Sequence, residues 1–249
     1  MEIRARVLEH LGTPQAESRF GRAYLAQEIA TVANCRPHQV WEALWGLVGD
    51  GLIYLDPAGQ GPDNWQWRLS ATGIQAISGG SWEPRDPEGY LGRLREHSPE
   101  VDPVAINYIS EALSAFNARC YLATSVMLGV ASERVIDGLM RALVNSKGDS
   151  AKRLRAALEN PRTSQLSRFT EMRKQLDPIR AELPDGLADT LTLDALADLL
   201  RLTRNEAGHP TGVEVDEDTA YTHLQMAARY VQKMTDLQAF FQRPAAPRT

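Results

Sequence analysis

Pro37-His38-Gln39-Val40-Trp41-Glu42-Ala43-Leu44-Trp45-Gly46-Leu47-Val48-Gly49-Asp50-Gly51-Leu52-Ile53-Tyr54-Leu55 switches from one structural period to another. Val40, Ala43, Leu44 and Leu47 recur at helical spacing and form the inner stripe of a helix that Pro37 suits in its first turn. Gly49-Asp50-Gly51 stops that helix, and Leu52–Leu55 reads as a strand. Downstream, a Pro/Gly-rich tip from Asp56 to Asn64 leads into Trp65, Trp67 and Leu69 at period two, with Gln66 and Arg68 facing the other way. Ser70-Ala71-Thr72-Gly73 then opens a short helix. Upstream, Glu2 to His10 predicts a first helix with Ile3, Val7 and Leu8 inside. A second, from about Arg22 to Val32, carries Leu25, Ile29 and Val32.

Three helices and a hairpin, with Leu44-x-x-Leu47-x-x-x-Gly51-Leu52-Ile53 and the closing Leu69-Ser70-x-x-Gly73, resemble the winged helix-turn-helix family over residues 1–78. In that family the third helix often enters the major groove while the wing touches backbone. On that reading Arg36, His38, Gln39 and Arg68 contact nucleic acid. The outer face of the third helix fits groove reading poorly, because His38, Trp41, Glu42 and Trp45 occupy it. The segment up to residue 80 holds no Lys, six Arg and eight acidic residues. Phosphate contacts supply most of the affinity for DNA, and that supply is thin here. Two Trp one turn apart suit a protein contact surface. DNA, RNA and protein all stay open as partners of this domain.

From Gly79 the chain becomes rich in Gly, Pro and charge, and residues 79–102 read as a linker with a helical piece near Leu91 to Glu96. Residues 103–249 read as helix throughout. Pro103 to Ala118 makes one helix, and Tyr121 to Val144 makes a longer one whose first part is apolar nearly all round, which predicts a central position. Helices follow at about 150–159, 164–182, Leu193 to Gly208 and Asp218 to Gln242. The fold class expected is therefore mainly α: a winged helix followed by an all-α bundle.

Apolar content of 43% and charged content of 24% are those of an ordinary globular protein. No amino-terminal run has signal-peptide form, and Tyr121 to Ala131, the longest apolar stretch, is too short to span a bilayer. A cytoplasmic protein without a membrane contact is expected. Cys35 and Cys120 stand far apart with no Cys/His set around them, so neither a disulfide framework nor a zinc site is supported. The net charge of −5 argues against indiscriminate nucleic-acid binding. Charge is uneven, however: Lys147 to Arg180 holds nine basic and four acidic residues, while Asp185 to Asp218 holds nine acidic and two basic. Such asymmetry can give an acidic protein a local positive surface, with Lys152, Arg153 and Arg155 as its nucleic-acid contacts.

One segment breaks its own pattern. Leu193, Leu196, Ala197, Leu200 and Ala207 share a helical face, and Arg204 falls in the middle of it. A guanidinium that points inward needs a carboxylate, a phosphate or a subunit interface. Gly208 and Pro210 end the helix and leave His209 at its terminus. A helical bundle whose late helix ends in Arg204-Asn205-x-x-x-His209 resembles the HEPN superfamily over about residues 103–242, and the motif maps onto Arg204, Asn205 and His209. The resemblance implies a homodimer through the bundle, with two copies of the motif forming one composite site. It also implies metal-independent RNA cleavage by attack of a 2′-hydroxyl on the adjacent phosphate, as in toxin and defence nucleases.

The residue chemistry agrees with that implication. His209 can exchange a proton with a 2′-hydroxyl or a leaving 5′-oxygen. Arg204 can hold the phosphate and stabilise charge developing on its oxygens. Asn205, four residues before His209, can orient the ring or bind a phosphate oxygen. No carboxylate cluster with metal spacing lies beside the motif, so neither metal nor cofactor is expected. Glu133 and Asp137 are supporting candidates: either acid could meet Arg204 across the bundle, or Glu133, Asp137 and Arg141 form a solvated ladder along one helix. The other function open to this sequence is a non-catalytic regulator that binds DNA through the winged helix and a nucleotide or protein through the bundle.

Overall fold

The computed structural model describes residues 3–13, 25–57, 66–80, 82–184, 186–187 and 214–243. The chain is mainly α: three helices with a two-stranded antiparallel hairpin, followed by a helical bundle. It divides into two compact units, Met1–Tyr90 and Leu91–Thr249.

In the first unit, α1 (Ile3–Leu11), α2 (Leu25–Ala33) and α3 (Pro37–Gly49) precede β1 (Ile53–Asp56), β2 (Gln66–Leu69) and α4 (Ala71–Ser78). The stripe Val40, Ala43, Leu44 and Leu47 is buried as its spacing requires, against Val7, Leu8, Ile29 and Ile53. Of the three apolar residues noted on α2, Val32 is 69% exposed, and Ala26 and Ala30 share the inner face with Leu25 and Ile29. The two alanines fill the space beside Leu25 and Ile29, and close packing there leaves no inward place for Val32. Gly51 at φ +70 makes the turn from α3 into β1, a conformation that costs glycine nothing.

The hairpin pairs Ile53 with Leu69, Tyr54 with Arg68, Leu55 with Trp67 and Asp56 with Gln66. Ile53, Leu55, Trp67 and Leu69 thus share one face, and Tyr54, Asp56, Gln66 and Arg68 the other. Ser70 ties α4 to this frame. Its Oγ accepts from the Gly73 N–H at 2.9 Å and donates towards Gly51 O at 2.6 Å, while its own N–H donates to Leu52 O at 2.9 Å. Gly73 packs so closely that a Cβ on it would stand 1.9 Å from Leu52 O. Gly73→Ala should therefore force backbone apart and destabilise this unit by about 1–3 kcal/mol or more, as overpacking does. Urea unfolding followed by tryptophan fluorescence checks it: a midpoint equal to that of the parent chain contradicts the packing argument.

Residues 79–102, expected as a linker, contain the boundary between the units and a helix longer than anticipated, α5 (Pro87–His97). Pro87 suits the first helical turn, and Asp86 Oδ1 accepts from the Gly89 N–H at 3.0 Å. Tyr90 is fully buried and meets Trp82 edge-on at 5.3 Å.

The second unit contains α6 (Pro103–Asn117), α7 (Tyr121–Lys147), α8 (Lys152–Glu159), α9 (Gln165–Leu176) and α10 (Glu217–Gln242). Short 3₁₀ turns at Gly148–Ala151 and Asp177–Glu182 flank α8 and end α9. The second turn carries Pro178, which accounts for the stretch 164–182 not continuing as one α-helix. The helix expected over Leu193 to Gly208 lies outside the described residues. α7 packs along both α6 and α10, burying Leu128, Val135, Leu139 and Leu143. Its first part is not enclosed all round: Leu122 and Val130 are exposed.

Asp102 joins α6 to α7 with one carboxylate. Oδ1 accepts from the Val104 N–H at 2.8 Å as the N-cap of α6, and Oδ2 accepts from Arg134 at 2.8–2.9 Å. Burial raises its pKa, but the bonds from Arg134 and Val104 outweigh this and hold the carboxyl below its ordinary value. A lowered folded pKa makes this contribution fully present above the unfolded carboxylate range and lost as pH falls through the folded value. Asp102→Ala should cost about 0.5–2 kcal/mol, the ordinary worth of an N-cap, and flatten the acid limb of stability against pH. Thermal melts at neutral and acid pH measure both; an unchanged acid limb contradicts the linkage.

Candidate functional site

Arg204, Asn205 and His209 lie outside the described residues. The candidate supporting acids are on α7. Asp137 Oδ2 accepts from Arg141 Nε at 2.7 Å, one turn along the same helix, and Arg141 is exposed. The Asp137–Arg141 step of the expected ladder is thus present, and a meeting of either acid with Arg204 lies outside the described residues. Glu133 is half-buried, and its carboxylate accepts from Gln165 Nε2 at 3.5 Å, joining α7 to α9. Gln165 Oε1 is buried with no hydrogen-bond partner among the described residues.

The basic stretch resolves into two kinds of residue. Arg168 is structural: Nε donates to Ala157 O at 3.1 Å and Nη2 to Asn160 O at 3.1 Å, satisfying carbonyls at the end of α8. Lys174 pairs with Glu171 at 2.7 Å, and Arg180 with Asp177 at 2.5 Å. Lys152, Arg153, Arg155 and Arg162 are different: they are exposed, and their side chains are in no hydrogen bond or ion pair among the described residues. Leu154, fully buried, anchors α8 so that Lys152, Arg153 and Arg155 face solvent around it. Unpaired cations grouped on a short helix form a positive surface that polyanions meet without first breaking an ion pair. Arg162, which continues this group, was not singled out by the sequence; its place just beyond the helix end was the available signal.

In the first unit, the four residues expected at nucleic acid are dispersed in their roles. Arg36 and His38 are exposed at the start of α3. Gln39, also exposed, spends its carbonyl oxygen on the helix start, accepting from the Arg36 N–H at 3.0 Å. Arg68 is held on the hairpin by Asp56, Nε to Oδ2 at 2.7 Å, so much of its charge is neutralised locally. What the fold brings together instead is aromatic. Trp67 of β2 lies against two tryptophans of α3, with ring centroids 5.4 Å from Trp45 at 84° and 6.4 Å from Trp41 at 55°. Trp41 is 40% and Trp45 59% exposed. Sequence spacing places Trp67 on the inner face of the hairpin and Trp41 and Trp45 outward on α3. Only the closure of the hairpin onto α3 unites them.

Two further polar contacts lie in the seam of α7 and α10. Ser125 Oγ is 3.5 Å from His223 Nδ1, and Ser132 bonds the Tyr230 hydroxyl, all four residues being buried. Burial pushes the Tyr230 phenol up, with the Ser132 bond opposing. His223 has no readable partner in sequence, because its neighbour is contributed by a helix 98 positions away. Enclosed as they are, these groups satisfy one another and fix the packing of the seam rather than meet a substrate.

Among the described residues no group of three or more His, Cys, Asp or Glu is placed to hold a metal ion, and no helix is long and apolar enough to cross a membrane. Cys35 and Cys120 are free thiols. Comparison of the chain with protein-family models, curated proteins and solved structures finds no match in any of the three.

Proposed function

We propose that this chain is a metal-independent endoribonuclease of the HEPN type, with its chemistry at Arg204, Asn205 and His209 of the helical bundle and its RNA held by α8. The observation that carries the reading is the basic face of Lys152, Arg153 and Arg155, whose side chains are exposed and without a partner among the described residues. Electrostatic attraction collects RNA there, and the motif supplies a phosphate-binding guanidinium and a proton-transferring imidazole. Two copies of the chain complete the site, because the HEPN motif works as a pair across a two-fold interface. The first unit recruits a partner. Cleavage of a labelled single-stranded RNA by purified protein in EDTA tests the proposal. Cleavage that is lost in Arg204→Ala, His209→Ala supports it; unchanged cleavage in that variant overturns it.

The regulator reading is less well supported, since Arg68 is neutralised by Asp56 and Gln39 caps its own helix. Salt-sensitive DNA binding that Arg36→Ala and Arg68→Ala weaken would favour it instead.

A further inference from the structure

We infer that the Trp41–Trp45–Trp67 face of the first unit is a docking site for an arginine-bearing segment of a partner protein. Three observations carry this. First, the aromatic cluster is built rather than accidental: Trp67 is packed against the core of the unit and holds Trp45 edge-on and Trp41 tilted. Its outer members are nevertheless 40% and 59% exposed, and tryptophan so exposed is a common anchor of protein contacts. Second, Glu42 shares the exposed face of α3 with Trp41 and Trp45, one turn before Trp45. Its carboxylate is in no hydrogen bond or ion pair among the described residues. Third, Arg4, Arg6 and Arg68 are held by Asp50, Glu9 and Asp56, so none of these three guanidinium groups is available to Glu42.

Aromatic faces beside an unpaired carboxylate are the combination that recognises a guanidinium: the plane stacks on indole while its N–H groups bond the acid. Exposed tryptophans also stack nucleobases, but a nucleic acid would bring phosphates against Glu42, and with Arg68 held by Asp56 it would find, among the described cations of α3 and the hairpin, Arg36 alone to offset them. The charge therefore selects a cationic peptide over a nucleic acid.

The test uses the full chain and fluorescence anisotropy of a blocked, dye-labelled peptide carrying one arginine between prolines, against the same peptide with neutral citrulline. Saturable binding of the arginine peptide is expected, about tenfold weaker with citrulline and weakened several-fold by Glu42→Gln. Trp45→Ala, chosen because Trp45 is the most exposed of the cluster, should lose binding while circular dichroism stays unchanged. Absence of saturation up to about 1 mM, in the weak-binding range, overturns the inference. So does equal binding of the citrulline peptide, or displacement of the arginine peptide by a single-stranded oligonucleotide that binds more tightly. None of these readouts involves RNA cleavage, so this inference and the ribonuclease proposal stand or fall separately.

Discussion

Arg204→Ala and His209→Ala should each lower the rate of RNA cleavage by about 10²–10⁴, the usual worth of a positioned general acid or base. Loss of a charged group from a transferring phosphate is of similar size, about 10²–10³ for one electrostatic donor. The double variant should be little worse than either single one. Residues that act on one transition state are not additive, since removing either leaves the other without its task. Arg204→Lys separates two roles of the first residue: lysine keeps the charge but presents a point donor in place of a planar fork, so partial activity is expected. Asn205→Ala should cost less, because an orienting amide neither carries charge nor moves a proton. RNA affinity should persist in all five variants, since the cations of α8 are untouched. Single-turnover cleavage of a labelled RNA, with binding measured in parallel, gives the separation between rate and affinity. Full cleavage by the His209→Ala protein overturns the proton-transfer role outright.

How legible these features were depends on how local their causes are. The inner stripe of α3, the glycine stop and the strand after it follow from spacing and from what Gly and Pro permit, and all are present. The same holds for Ser70 and Gly73, whose pairing is a local cap and a close approach of backbone. Val32 is apolar yet exposed, because hydrophobicity alone does not say which of two adjacent faces a short helix buries, and Ala26 and Ala30 lie inward beside Leu25 and Ile29. Arg168 and Lys152 are equally basic in sequence. Only the fold shows that one is committed to carbonyls at the end of α8 while the other is unpaired. Trp67 meeting Trp41 and Trp45, like Ser125 meeting His223, requires chain closure that no window of sequence contains.

That difference between committed and uncommitted cations gives the second large effect. Lys152→Glu, Arg153→Glu, Arg155→Glu in one protein should weaken single-stranded RNA binding by tenfold or more at low salt. The reasoning is electrostatic throughout. Each phosphate neutralised on a single strand contributes about 0.7 to the slope of log affinity against log salt. Removing three contacts should therefore reduce that slope by about 2, and the parent and variant affinities should converge as salt rises. Folding should survive, because all three side chains are exposed and unpaired, and substitutions of that kind stay within about 0.5 kcal/mol. Leu154, which anchors the helix, is left in place. Cleavage should then show a raised KM with kcat largely kept at saturating RNA, since these cations gather the strand and do not touch the reacting atoms. Reversal of Arg168 would confuse the result, because it would also remove hydrogen bonds to Ala157 and Asn160 and loosen α8 itself. If the salt slope of the triple variant equals that of the parent, RNA is not held by α8, and the basic face is only a solvated one.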